Sequence, residues 1–139
     1  TLSNEINSMS ANGNTNQTVG LDHGFMTLMS TAPYNAPTLP LYTSQYIILL
    51  SDGANTQNRW TTSQSSIDSR MALACSNAKS AGIVIYTIFL DIGGTSGNST
   101  VLQNCASSSS KYYDLTSTGS VASTFNLIAQ QITSLRVSQ

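Results

Sequence analysis

Apolar residues recur along this chain with the two periods that distinguish helices from strands. Leu2, Ile6 and Met9 fall at positions i, i+4 and i+7, which predicts a short amphipathic helix that ends before Asn12 and Gly13. Longer segments repeat the helical spacing. Their apolar positions are Leu21, Phe25, Leu28 and Met29; Ile67, Met71, Ala74 and Ala78; and Val121, Phe125, Ile128, Ile132 and Leu135. With a further short helix predicted around residues 101–106, the pattern indicates five helices.

Other segments have the composition of strands. Residues 46–50 and 83–90 are apolar runs, and the second, "IVIYTIFL", is β-branched and apolar on both faces, as expected of a central parallel strand. A brief strand is predicted at residues 112–115. Alternation of strands with helices predicts an α/β fold, a doubly wound parallel sheet with helices on both faces. Gly82 is expected to end the third helix at its C′ position. Residues 1–139 show no internal repeat and are interpreted as a single domain.

Charged side chains are scarce in this chain. Asp, Glu, Lys and Arg make up 8% of its 139 residues, against about 25% in typical soluble domains, and Ser, Thr, Asn and Gln supply the polarity instead. The net charge of −1 provides no basic surface for nucleic acid or for anionic lipid. No apolar run approaches the roughly 20 residues needed to cross a bilayer, so a membrane is expected to be reached only through segments outside this chain. The composition favours an extracytoplasmic protein.

Cys75 and Cys105 are the two cysteines of the chain. They form no Cys-x-x-Cys motif and no cluster of His and Cys surrounds them, which argues against a zinc site. One interpretation is a pair of buried free thiols. The other is a disulfide that closes a loop of about 30 residues and contributes roughly 3.5 kcal/mol in the chain-entropy model. The composition favours the disulfide, which is geometrically reasonable if the third helix and the helix around Cys105 lie on the same side of the sheet.

A carboxylate stands at the end of an apolar strand in the segment "YIILLSDGANTQNRW", residues 46–60. In parallel α/β sheets, ligands bind at the carboxyl ends of the strands, and Asp52 is predicted to lie there. An aspartate at this position can ligate a hard cation such as Mg²⁺, activate a nucleophile or cap the next helix. Arg59 and Trp60 follow in the same loop. They are interpreted either as an interface anchor or as a cover over the sheet edge.

A second loop carries a related pattern. The segment "NGNTNQTVGLDHG" places Gly13 and Thr15 just before the second helix, in the form Gly-x-Thr followed by Gly20. Together with "ILLSDGANT", this resembles the von Willebrand factor A domain, in which a loop threonine and the aspartate of a strand-end Asp-Gly help form a metal-ion-dependent adhesion site (MIDAS). The order of "GNTNQTVGLDHGFMTL", "YIILLSDGANTQNRW", "GIVIYTI" and "CASSSSKYYDL" is similar to the C-terminal domain of TadG-like proteins of bacterial tight-adherence (Flp) pilus assembly. This resemblance covers nearly the whole chain.

The resemblance implies that Thr15 and Asp52 are ligands for Mg²⁺, or for Ca²⁺ or Mn²⁺, with one coordination position left for a carboxylate of a protein partner. It also implies that the site is incomplete. The family's Asp-x-Ser-x-Ser motif, which its first and central strand carries, is absent from this sequence, and "IDSRM" lies in the third helix with a different spacing. The chain is therefore expected to be the C-terminal portion of a von Willebrand factor A-like domain that lacks the first strand.

The residues and the resemblance together predict a non-enzymatic, extracytoplasmic module that binds a protein partner in pilus assembly or adhesion. Two alternatives stay open: a hydrolase or transferase that uses Asp52, and a purely structural domain whose metal site is incomplete. Without the neighbouring strand, residues 47–50 are expected to form an exposed apolar edge. We expect that edge to be covered by an upstream fragment, by a second copy in a homodimer or by a swapped element.

Overall fold

The computed structural model describes residues 1–10, 12–41, 43–94, 96–97 and 99–134. Its α-helices are α1 (Leu2–Ser8), α2 (Gln17–Leu28), α3 (Gln64–Ser80), α4 (Thr100–Cys105) and α5 (Val121–Ser134), and its strands are β1 (Tyr46–Ser51), β2 (Val84–Leu90) and β3 (Tyr112–Leu115). The five predicted helices and the predicted strands are confirmed, while Leu135 lies outside the described residues. No helix in the described part of the chain is both long and apolar enough to cross a membrane.

The strands form one parallel sheet in the order β1-β2-β3. Tyr46 of β1 lies opposite Val84 of β2, and Thr87 of β2 lies opposite Tyr112 of β3. Residues 85–90 of β2 are all buried, because this strand has a neighbour on each side and helices above and below. The prediction of a central parallel strand is confirmed, and the fold is α/β.

Helices cover both faces of the sheet, and each face has its own apolar core. The larger core lies under α2, α3 and α4, where Leu21, Met71, Ile85 and Leu102 are at most 1% exposed. The smaller core lies under α5, where Ile128 packs with Tyr86 and Ile88 of β2. Adjacent residues of β2 alternate between the two cores, since successive side chains of a strand point to opposite faces. Burial of each such side chain contributes about 1.5–3 kcal/mol.

The C-terminal end of α3 sets the direction in which the chain enters β2. Gly82 has a φ of 84°, a left-handed conformation that glycine adopts at little cost. The Ile83 amide donates to the Ala78 carbonyl over 3.1 Å, and the Gly82 amide donates to the Lys79 carbonyl over 3.0 Å. These two bonds define a Schellman motif, and the predicted C′ role of Gly82 is confirmed.

A disulfide joins α3 to α4. Cys75 and Cys105 form this bond with their Cα atoms 5.2 Å apart, within the range that disulfide geometry requires. Both residues are about 1% exposed and belong to the larger core. The predicted disulfide is confirmed, because α3 and α4 pack on the same face of the sheet.

Strand β1 forms one edge of the described sheet. Ile47 is buried under the larger core, whereas Ile48 and Leu50 point to the α5 face and are 37% and 40% exposed. Helix α5 packs over β2 and β3, so it leaves these β1 side chains partly uncovered. The exposed apolar edge expected at residues 47–50 is therefore confirmed for Ile48 and Leu50 but not for the buried Ile47, and what covers it stays a prediction.

Candidate functional site

Two loops meet beyond the carboxyl end of β1. The first, residues 12–16, precedes α2 and contains Thr15; the second, residues 52–58, follows β1 and contains Asp52; we call them the loop pair. The Thr15 amide donates to the Thr56 hydroxyl over 2.8 Å, and the Thr56 amide donates to the Thr15 carbonyl over 2.9 Å. The Asn14 amide group donates to the Gln57 side-chain oxygen over 2.6 Å. The fold therefore places the Gly-x-Thr segment beside the Asp-Gly segment, although Thr15 and Thr56 are 41 residues apart.

Gln17, the first residue of α2, fastens the loop pair to the end of the strand. Its side-chain amide nitrogen, Nε2, donates to the Ser51 hydroxyl over 2.8 Å and to the Gly53 carbonyl. Its backbone amide donates to Asn55 Oδ1 over 2.7 Å, and Asn55 in turn donates to the Asp68 carboxylate over 2.7 Å. Because Gln17 and Asn55 are 6% and 1% exposed, these bonds are shielded from water, and the loss of any of them would be costly.

One buried atom of this network has no partner in the described structure. Gln17 Oε1 is shielded from solvent, and none of the described residues donates a hydrogen bond to it. A buried carbonyl oxygen without a donor costs about 1–3 kcal/mol, so such an atom marks a place where a donor or a cation would be stabilising. Gln17 and Asn55 lie within the two segments that carry the family resemblance, yet neither stands out in the sequence, since a buried amide side chain is distinguished from an exposed one only by its partners.

Asp52 directly follows β1, and its side chain is exposed, while Thr15 is half-buried. The structure brings the two loops together, and a cation shared by the two side chains stays a prediction. The interpretation of Asp52 as a helix cap is wrong, because the next helix, α3, begins at Gln64 with Ser63 as its N-cap. No group of three or more His, Cys, Asp and Glu side chains with the geometry of a metal site occurs among the described residues.

A cavity of about 350 Å³ lies beside the loop pair, at the carboxyl ends of β1 and β2. It is lined by Gly53, Ala54, Gln64, Asp68, Phe89, Ser96, Gly97, Ser99, Thr100 and Val101. Asp91, just outside it, accepts hydrogen bonds from the amides of Ser96 and Gly97 over 2.8 and 3.2 Å. That carboxylate is 5% exposed and holds the loop after β2 in place.

Tyr112 supports the same loop from β3. Its hydroxyl accepts a hydrogen bond from the Ser99 amide over 3.1 Å. Burial raises the pKa of Tyr112 above its usual value of 10.0, because the phenolate would lose hydration. At neutral pH the neutral phenol therefore persists and positions the chain where it enters α4.

The chain's single histidine lies away from the loop pair. His23 is exposed in the middle of α2, and its Nδ1 atom is 3.0 Å from the Tyr34 hydroxyl. His23 is therefore a surface residue. The loop pair contains the exposed Asp52 and the half-buried Thr15, while the buried Gln17 Oε1 belongs to the adjoining start of α2.

Comparison with known proteins shows a fold that this chain shares with a solved structure, but it does not assign the chain to a protein family. No family model matches the chain, and no curated protein matches it. Among solved structures, it is similar to proximal thread matrix protein 1 from the mussel byssus, crystal form 2, with a TM-score of 0.54 and 22% identity. The match covers 88% of this chain and 25% of that one, so this chain spans about a quarter of the length of the mussel protein. At this identity the likeness shows a shared fold alone.

Proposed function

We propose that this chain is a non-enzymatic, extracytoplasmic interaction module whose loop pair contacts a protein partner. The observation that carries the proposal is the mutual bonding of Thr15 and Thr56, which holds the Gly-x-Thr segment against the segment that follows Asp52. In the resembling family, this pairing of loops is the binding surface of a von Willebrand factor A-like domain. The TadG-like resemblance points to pilus assembly or adhesion as the process.

A divalent cation fits the donors of the loop pair in part. The Asp52 carboxylate and the Thr15 hydroxyl are oxygen ligands of the kind that Mg²⁺, Ca²⁺ and Mn²⁺ take, and the orphaned Gln17 Oε1 lies in the same network. The loop pair supplies one carboxylate, and Mg²⁺ sites in proteins usually contain one or two. In the resembling family, an Asp-x-Ser-x-Ser strand supplies further ligands; in this chain, water molecules would complete the coordination of Mg²⁺, which keeps several waters in most protein sites. A bound cation would offer one coordination position to a carboxylate of the partner.

The protein's own residues supply the positioning. Gln17 ties the start of α2 to Ser51 and Gly53, so Asp52 is fixed between two anchored residues while its side chain stays exposed. A rigid backbone below an exposed carboxylate reduces the entropy that binding would otherwise cost.

The disulfide supports an extracytoplasmic location. Structural disulfides persist in oxidising compartments and are rare in reducing ones, and the Cys75–Cys105 bond lies within the larger core. The low content of charged residues, 8%, agrees with this assignment.

Cation titration of the full chain with matched variants tests the proposal. We expect Mg²⁺ to raise the melting temperature of the wild type, because a ligand at 100 times its Kd stabilises a protein by about 2.7 kcal/mol. Asp52→Asn should abolish the effect and Thr15→Val should weaken it. Asp114→Asn is the control, since this exposed carboxylate lies on β3, two strands away.

Each alternative function has its own outcome in the same series. An equal rise in the wild type and in Asp52→Asn would refute the loop pair as the cation site. No response to Mg²⁺, Ca²⁺ or Mn²⁺ would favour a structural domain; the similar mussel protein is described as a thread matrix protein. Ester or phosphoester turnover that Asp52→Asn removes would favour the hydrolase or transferase alternative.

A further inference from the structure

Trp60 is 70% exposed, although hydrogen bonds hold the turn that carries it. The Asn58 amide donates to the Thr61 carbonyl over 2.9 Å, and Asn58 Oδ1 accepts the amides of Trp60 and Thr61 over 2.8 and 2.9 Å. The Arg70 guanidinium lies 4.9 Å from the centre of the Trp60 ring, and this cation–π contact restricts the ring further. A large ring that is held in place and still open to water is preorganised for a ligand, since binding then costs little entropy.

The Trp60 ring borders a groove between α2 and α3. Its volume is about 490 Å³, within the range of about 300–1,000 Å³ that small-molecule sites occupy. Val19 and Leu73, which are 52% and 67% exposed, add apolar surface. The polar residues that line the groove are Asn16, Thr18, Asp22, Asn58, Arg70 and Asn77. The groove therefore offers an aromatic surface and hydrogen-bonding groups side by side.

The polar groups of the groove favour a neutral ligand. Asp22 and Arg70 carry opposite charges, so a charged ligand would meet a like charge there as well as an opposite one. Asn16 and Asn58 each accept backbone amides through Oδ1, which leaves the Nδ2 group of each as a donor. Together with the Asp22 carboxylate as an acceptor, these groups suit a ligand that both donates and accepts hydrogen bonds.

Thr18 provides an independent observation in the same groove. Its hydroxyl oxygen is shielded from solvent, and none of the described residues forms a hydrogen bond with it. Buried hydroxyl groups in proteins nearly always have a partner. Because Thr18 lines the groove, the missing partner favours a ligand that carries hydroxyl groups.

Trp60 also borders a second, shallower hollow. That hollow has a volume of about 450 Å³, and it is lined by Gln57, Asn58, Arg59, Trp60, Thr61 and Thr62. Amide and hydroxyl side chains again predominate. Since Trp60 and Asn58 line both hollows, a ligand of several linked units could continue from one into the other across the Trp60 ring.

We propose that Trp60 and the two hollows beside it bind a neutral oligosaccharide of pyranose rings with equatorial hydroxyl groups. Such a ring has apolar C–H faces, which stack on Trp60, and a rim of hydroxyl groups, each of which donates and accepts hydrogen bonds. A protein partner would place an apolar anchor in an apolar centre, with polar groups at the rim, whereas here charges and amides line the groove itself. The inference goes beyond the proposed function, because it requires neither Asp52 nor a cation.

Isothermal titration calorimetry of the full chain in EDTA tests the inference. The probes are cellotetraose and the β-1,4-linked tetramer of N-acetylglucosamine, and we expect saturable binding of at least one of them. Sorbitol at the same hydroxyl concentration should not bind, because it has hydroxyl groups and no ring face. Trp60 is the only tryptophan of the chain, and its emission should shift to shorter wavelength on binding, since a stacked sugar removes water from the ring.

Matched variants locate the site. Trp60→Ala should weaken binding at least about tenfold, because truncation of a central tryptophan usually costs a large share of the binding energy, and Trp60→Phe should weaken it less. Asn77→Ala should weaken it about three- to tenfold through the loss of hydrogen bonds. Tyr34→Ala is the control, since this tyrosine is 48% exposed and lies outside both hollows. All four side chains are exposed, so melting temperatures close to that of the wild type should show that the variants fold.

Several results would overturn the inference. One is the absence of saturable binding to both tetrasaccharides, and another is binding that folded Trp60→Ala retains in full. Binding of sorbitol as strong as that of the tetrasaccharides would show that no ring is recognised. Binding of tetragalacturonate alone, lost at high salt, would assign the site to an acidic ligand through Arg59 and Arg70. Trp60-dependent binding of hexaproline without either tetrasaccharide would assign it to a peptide.

Discussion

Reduction of the Cys75–Cys105 disulfide should lower the free energy of unfolding by about 3.5 kcal/mol. The bond closes a loop with a sequence separation of 30, and the chain-entropy model gives that value for about 30 residues at 25 °C. Both cysteines are about 1% exposed within the larger core. Reduction leaves both sulfur atoms packed there, so it removes the cross-link from the unfolded chain and little from the native contacts. Cys75→Ala with Cys105→Ala would add a cavity cost and should destabilise more.

Urea unfolding with and without a reductant, followed by far-ultraviolet circular dichroism, measures the difference. With a slope of about 1–3 kcal/mol per molar urea, the midpoint should fall by about 1–4 M. The slope itself should rise slightly, because a chain without the cross-link exposes more surface when it unfolds. A change in unfolding free energy below about 1 kcal/mol at equal slope would refute the loop-entropy account. Two reactive thiols in unfolded, unreduced protein would refute the disulfide itself.

Three smaller perturbations test the site. Gln17→Ala removes the side-chain bonds to Ser51 and Gly53, and it should cost about 2–3 kcal/mol in urea unfolding; an unchanged midpoint would show that this network does not hold the loop pair. Partial loss of hydration raises the pKa of the Asp22 carboxyl above 3.8, so its protonated form favours the native state, and this stability is lost as the pH rises from about 3.8 through the raised pKa. Asp22→Asn should therefore raise the melting temperature at pH 7 more than at pH 3, and equal shifts would contradict the assignment. Tyr112→Phe should cost about 0.5–1.5 kcal/mol, because the Ser99 amide loses its acceptor; amide hydrogen exchange at Ser99 should quicken, and an unchanged rate would count against this bond.

Local pattern was enough to predict the elements of the fold. Residues 83–90 were predicted as a central strand from their apolar composition on both faces, and β2 lies between β1 and β3. Gly82 was predicted as the C′ residue of α3, and its φ of 84° confirms this. Such predictions succeed because neighbouring residues are enough to make them. Apolar spacing shows whether one or both faces of an element are buried, and a glycine after a helix indicates a left-handed residue at that position.

Long-range pairing decided what local pattern left open. The composition favours a Cys75–Cys105 disulfide but leaves two free thiols open, and the packing of α3 and α4 on the same face of the sheet decides for the disulfide. The suggested capping role of Asp52 required a helix soon after β1, and α3 begins only at Gln64. A spacing in sequence does not state which elements pack together, so both questions depended on three-dimensional contacts.

In the candidate site, too, some residues could be recognised from the sequence and others only from the tertiary structure. Motifs in the sequence point to Thr15 and Asp52, because a hydroxyl or carboxylate close to a glycine in a loop is visible in the sequence. Gln17 and Asn55, which hold the two loops together, were not, since a buried amide differs from an exposed one only through its partners. Likewise, the sequence alone determined that residues 2–9 carry an apolar helical stripe, while only the tertiary structure decided that this stripe stays exposed. Periodicity shows which residues share a face, and the packing of distant elements decides whether that face is covered.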